Sequence, residues 1–170
     1  MSTEQKIFTH TIAVLVANEA GVLARVIGLF SGRGYNIDSL TVAEVDEDEH
    51  TSRITIVTSA TPQVIAQIKT QLQRLVPVHR VVDLTVDTDS VERELALVKV
   101  TGKGNDRVEA LRMSEAFRAR VIDATPESFV FEVTGDSEKI NAFISLMAPL
   151  GLQEVSRTGI AAIARGPEKM

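Results

Sequence analysis

The chain of 170 residues is long enough for two small domains, and its net charge of −5 gives neither nucleic acid nor an anionic membrane an attractive overall field. With no cysteine, disulfides, thiol catalysis and thiolate metal sites are excluded, and the composition suits a reducing, cytoplasmic setting. The opening MSTEQKIFTH lacks the apolar core of a secretory signal, no apolar run approaches a membrane span, and only 4% of residues are aromatic, so Val, Ile and Leu are expected to build the cores.

Residues 12–17, from Ile12, are short, β-branched and apolar on both faces, as a covered central strand is. The loop Asn18-Glu19-Ala20-Gly21 then leads into Val22, Leu23, Val26, Ile27, Leu29 and Phe30, which recur at helical spacing as one wide apolar stripe. Gly21 therefore sits at a helix N-terminus, where unpaired N–H groups and the helix dipole hold a carboxylate or phosphate without a basic side chain. Ser31-Gly32-Arg33-Gly34 ends the helix, and Asn36 opens a strand through Ile37, Leu40, Val42 and Val45. Local pattern alone favours reading the two asparagines as caps and the two glycines as turn residues.

Asp46-Glu47-Asp48-Glu49 reads as a solvated hairpin tip rather than a cation site. A third strand carries Ile54 and Ile56. Thr61-Pro62 caps a helix with Val64, Ile65, Ile68, Leu72 and Leu75 inward, and Pro77 stops it. A strand over 79–87 is expected to face Val82, Leu84 and Val86 one way and Asp83, Thr85 and Asp87 the other. The polar residues 88–90 are the linker candidate. Beyond it the β-α-β-β-α-β order repeats: a strand over 95–100; a helix over 105–117 with Val108, Leu111 and Phe117 inward; strands over 120–124 and 129–133; a helix capped by Asp136-Ser137; and a closing strand over 155–164. The fold class expected is α+β, two tandem ferredoxin-like βαββαβ modules spanning 7–87 and 91–166.

Catalytic signatures are absent. His10, His50 and His79 are far apart and read as surface or strand-edge residues, Asp123 and Glu132 are not arranged as an acid-base pair, and Gly32-Arg33-Gly34 and Gly102-Lys103-Gly104 read as turns. No nucleophile elbow, Walker loop or dinucleotide fingerprint occurs.

The block NEAGVLARVIGLFSGRGYNIDSLTVA, followed by SRITIV and RVVDLT, and then by VERELALVKV, EAFRARVIDATPESFVFEVTG, KINAFISLM and RTGIAAIARG, resembles the small regulatory subunits of acetolactate synthase, with their N-terminal ACT domain. The likeness runs from about Ile7 to Gly166. It implies a non-catalytic chain that dimerises through its ACT domains. It further implies binding of valine or a related branched-chain amino acid, and activation and feedback inhibition of a separate catalytic subunit in branched-chain amino acid biosynthesis. Thiamine diphosphate, Mg2+ and FAD are then expected on that large subunit and no cofactor on this one. Carried over by position, the effector site is Asn18, Gly21, Val22 and Leu23 of one chain with Asn36 and Ile37 of its neighbour. A free-standing amino-acid sensor would lack the C-terminal blocks, and a small autonomous enzyme would need a catalytic constellation that is not visible.

Overall fold

In the computed structural model, which describes residues 6–170, the chain runs β1 (Phe8–Ala17), α1 (Val22–Gly32), β2 (Ser39–Asp46), β3 (Thr51–Ala60), α2 (Pro62–Arg74) and β4 (Val78–Asp83). It continues through β5 (Ser90–Thr101), α3 (Asn105–Ala116), β6 (Arg120–Ala124), β7 (Ser128–Gly135), α4 (Ser137–Met147), β8 (Leu152–Arg157) and β9 (Ala161–Ala164). The βαββαβ order is realised twice, in sheets ordered β2-β3-β1-β4 and β6-β7-β5-β8, with β9 also pairing with β5. Two compact units result: residues up to Val91 together with Ile160–Met170, and Glu92–Gly159. The expected linker 88–90 thus gives way to β5 already at Ser90.

In the first unit, strand alternation turns Ile12, Val14 and Val16 of β1 and Ile54 and Ile56 of β3 toward the helices, where they meet Val26 and Phe30 of α1 and Ile68 and Leu72 of α2. Each such side chain contributes about 1.5–3 kcal/mol by leaving water. Thr61 caps α2 by accepting the Val64 N–H at 3.4 Å, and Pro62 is its first residue.

β4 stops at Asp83 instead of running to Asp87, because Asp83 is fully buried and turned inward. Its Oδ2 lies 2.7 Å from His10 Nδ1, and its Oδ1 accepts the Thr85 N–H at 3.0 Å. Its own N–H goes to Asp87 Oδ2 at 2.9 Å, so the chain bends here. Leu84 remains in the core while Val86 is exposed. Burial would raise the Asp87 pKa, but the Lys69 ammonium and the Asp83 N–H bond its carboxylate and hold it below its ordinary value. His10, expected at the surface or a strand edge, is buried against Asp83; His50 and His79 are exposed.

The second unit concentrates the scarce aromatics: Phe129, Phe131 and Phe143 are core residues with Phe117 packed on them, alongside Ala96, Val98, Ile140 and Met147. Phe131 and Phe143 meet edge to face at 6.0 Å. Val, Ile and Leu alone therefore do not build this core. α3 forms as expected, but it is held through the small buried residues Ala110 and Ser114, with Leu111 and Phe117 at its flank, and Val108 faces solvent. Glu94, almost fully buried, receives a bidentate Arg157 at 2.6 and 2.8 Å, and this pairing raises the Arg157 pKa.

The expected closing strand 155–164 is two strands. Between β8 and β9 the chain turns at Gly159, whose φ of 84° suits a residue without Cβ. Ile160 and Ala162 then pack with Ala13, Val57 and Leu84 in the first unit.

Candidate functional site

Asn18 to Leu23 form the turn from β1 into α1. The Asn18 N–H donates to His50 O at 2.6 Å, which ties the loop to the β2–β3 hairpin. Gly21, at φ 86° and ψ −5°, is the N-cap, a left-handed conformation that glycine adopts without strain. The Val22 N–H reaches Glu19 O at 3.4 Å and the Arg25 N–H reaches Gly21 O at 3.0 Å. Between them, the Leu23 and Ala24 N–H groups have no partner among the described residues. No side chain caps the helix and no acid occupies its first turn, so its positive end is uncompensated. A Cβ built on Gly21 meets nothing within 4 Å, so the approach is open.

The single apolar stripe expected on α1 divides into two faces. Val22, Val26 and Phe30 are buried, whereas Leu23 and Ile27 stay 37% and 36% exposed. The Val22 side chain therefore belongs to the core and cannot wall a ligand; only its backbone adjoins the turn. α1 links β1 to β2 across β3, which places it on the β2 side of the helix layer. β2 is an edge strand, and its Val42 is 43% exposed.

Asn36 is exposed, its amide donates to Asp38 Oδ1, and its carbonyl accepts the Thr58 hydroxyl at 2.6 Å. Ile37 is half-buried against the core. Asp38 also accepts from Ser59 Oγ at 2.8 Å. The sequence reasoning did not single out Asp38 or Ile27. A two-residue offset from Asn36 and the i+4 relation of Leu23 to Ile27 were the available signals.

Within one chain the two halves of this constellation do not meet. Thr58, which holds Asn36, pairs with His10, whereas Ala17, which precedes Asn18, pairs with Thr51. Seven residues along β1 separate them, about 23 Å at strand rise. The far end of β2, Asp46, pairs with that same Thr51. Were two copies to pair antiparallel through their β2 edges about a two-fold axis, the Asn36 end of one would come beside the Asn18–Leu23 turn of the other.

Among the described residues no group of three or more His, Cys, Asp or Glu could hold a metal ion, and no helix is long and apolar enough to cross a membrane.

Comparison with known proteins places these features in a family. Residues 12–80 match the model described as "AHAS small subunit-like ACT domain", and residues 93–166 match "Small subunit of acetolactate synthase". The chain is 47% identical over 160 residues to a probable acetolactate synthase small subunit of Archaeoglobus fulgidus, covering 94% of this chain and 99% of the relative. It is 48% identical over 157 residues to the acetolactate synthase small subunit of Aquifex aeolicus, covering 92% and 81%. The crystal structure of the acetolactate synthase small subunit of Thermotoga maritima superposes with a TM-score of 0.84 at 36% identity, over 95% of this chain and 99% of that one. With nearly its whole length matched in sequence and in fold, the chain belongs to the acetolactate synthase small-subunit family.

Proposed function

We propose that this chain is a cytoplasmic regulatory subunit that dimerises through its ACT units, binds valine at that interface, and activates and feedback-inhibits a separate catalytic subunit. Thiamine diphosphate, Mg2+ and FAD reside on that catalytic partner and not on this chain. The observation that carries the reading is the uncompensated helix N-terminus at Gly21, lying on the edge-strand side of its unit and opposite in strand sense to Asn36.

The chemistry fits a small zwitterion. The Leu23 and Ala24 N–H groups take the α-carboxylate. The neighbouring chain's Asn36 and Asp38 accept from the α-ammonium, while Leu23, Ile27 and Ile37 wall a branched side chain. One methylene more or less in such a pocket is worth about 1–3 kcal/mol, so isoleucine and leucine bind within one or two orders of magnitude of valine. Calorimetric titration of the purified chain with valine, leucine, isoleucine and lysine tests this: saturable valine binding and no lysine binding are expected, and equal response to all four would end the proposal.

Asn36→Ala is expected to weaken valine by about 1–3 kcal/mol, because the neighbouring chain buries a polar group that then lacks its partner. Ile27→Glu is expected to shift the sedimentation profile from dimer to monomer, since a charge enters the apolar strip of α1 beside the β2 edge. A dimer that persists unchanged in that variant would mean the copies meet elsewhere.

A further inference from the structure

The sheet of the first unit has a second face, turned away from α1 and α2. Alternation along β3 puts Arg53, Thr55 and Val57 there, and the register sets Arg53 between Leu15 of β1 and Ala43 of β2. The C-terminal segment lies over part of this face. Ser39 Oγ accepts the Ile160 N–H at 2.9 Å, and Thr41 Oγ1 donates to Ile160 O at 3.1 Å. Next to it a cavity of about 680 Å3 remains, walled mainly by Leu15, Ala43, Ile163 and Met170, with Thr51 and Thr55 adding hydroxyls. That volume falls in the range of small-molecule pockets.

Two cations reach this cavity, Lys169, which is exposed, and Arg53, which is drawn out of water and left under-partnered by its own chain. Both cross-strand neighbours are apolar, it is half-buried, and loss of solvent lowers its pKa from the ordinary value. Its Nη2 donates to Ala162 O at 2.8 Å, which uses one of five guanidinium N–H groups. Among the described residues no carboxylate lies within ion-pair distance of it. The acids that reach the lining, Asp46, Glu49 and Glu168, come from the hairpin tip and the C-terminal segment, and Asp46 is occupied by the Glu49 N–H at 3.0 Å. A guanidinium withdrawn from water and facing an apolar wall gains most from a bidentate oxyanion.

We propose that this cavity is a second ligand site, distinct from the turn at Gly21, that takes a small carboxylate carrying a short apolar chain. The carboxylate oxygens meet the free edge of Arg53, and the hydrocarbon lies against Leu15, Ala43, Ile163 and Met170. An amino acid and a plain carboxylic acid share this chemistry; in the amino acid, the hairpin acids receive the ammonium.

Titration of the 15N-labelled full chain with 3-methylbutanoate, which lacks the ammonium, tests the proposal. Saturable amide shifts at Ala43, Ala162 and Ile163 are expected, weakened roughly tenfold or more in Arg53→Met, less in Arg53→Lys, and unchanged in Gly21→Asp. Should Arg53→Met not fold, the position of the shifts and the Arg53→Lys affinity decide the matter. Valine titrated into Gly21→Asp separates the two sources. Arg53-dependent valine binding assigns an amino acid, whereas response to 3-methylbutanoate alone assigns an acid without ammonium. No saturable shift with either probe, or shifts confined to residues 18–23 and lost in Gly21→Asp, would overturn it.

Discussion

Gly21→Asp is expected to reduce valine affinity at least a hundredfold and to abolish feedback inhibition while the fold survives. The new carboxylate projects into open space at the positive end of α1, where the ligand carboxylate is to lie. Two like charges about 4 Å apart repel by about 4 kcal/mol at an effective dielectric constant of 20. The backbone penalty is smaller. A non-glycine residue at φ 86° costs about 1–2 kcal/mol, and aspartate tolerates the left-handed region better than most. The thermal midpoint therefore falls by several degrees without loss of cooperativity. Gly21→Ala separates the two effects, since it carries the strain without the charge. Calorimetry on both variants, with an inhibition assay on the reconstituted enzyme, gives the comparison; equal loss of valine binding in both would assign the effect to backbone shape and not to the carboxylate.

Asp83→Ala is expected to destabilise the first unit by about 2–5 kcal/mol, because each buried polar group left without its hydrogen-bond partner costs about 1–3 kcal/mol. Asp83 is fully buried, and its loss strands His10, itself 8% exposed, together with the Thr85 N–H. The bond from the Thr85 N–H also helps to fix the bend that takes the chain out of β4. Urea unfolding of Asp83→Ala, His10→Ala and the double variant measures the pair. A large coupling between the two substitutions is expected, and additive effects would show that His10 and Asp83 act independently.

Local pattern carried most of the fold. Helix starts at Thr61-Pro62 and Asp136, and the strand alternation of β1, β3, β5 and β7, are stated by residues within a few positions of one another. What local pattern missed depends on partners distant in sequence. His10 looked like a strand-edge residue because its acid is 73 positions away, and Asp83 looked like an outward residue of a longer strand for the same reason. The alternation of residues 155–164 reads equally well as one strand, and only Gly159 hints that the chain turns toward the first unit.

The candidate site was legible as a list of residues but not as a geometry. Val22 and Leu23 are neighbours in one apolar run, yet a helix turns about 100° per residue, so one packs inside and the other faces out. Which end of the sheet Asn36 occupies follows from strand register, set by cross-strand packing over the whole unit. Asp38 was passed over because its significance comes from the amide and hydroxyl that hold it.

In the proposed arrangement each effector site is built from two chains, the Gly21 turn of one and Asn36 of the other. Valine titration of a purified mixed dimer, one chain carrying Gly21→Asp and the other Asn36→Ala, tests it directly. If the halves come from different chains, one of the two sites in this dimer is wholly unaltered and the other doubly damaged. One valine per dimer at wild-type affinity is then the expected result. If both halves of each site belong to one chain, every site in the mixed dimer carries a defect, and the absence of any wild-type-affinity binding would rule out a site shared between chains.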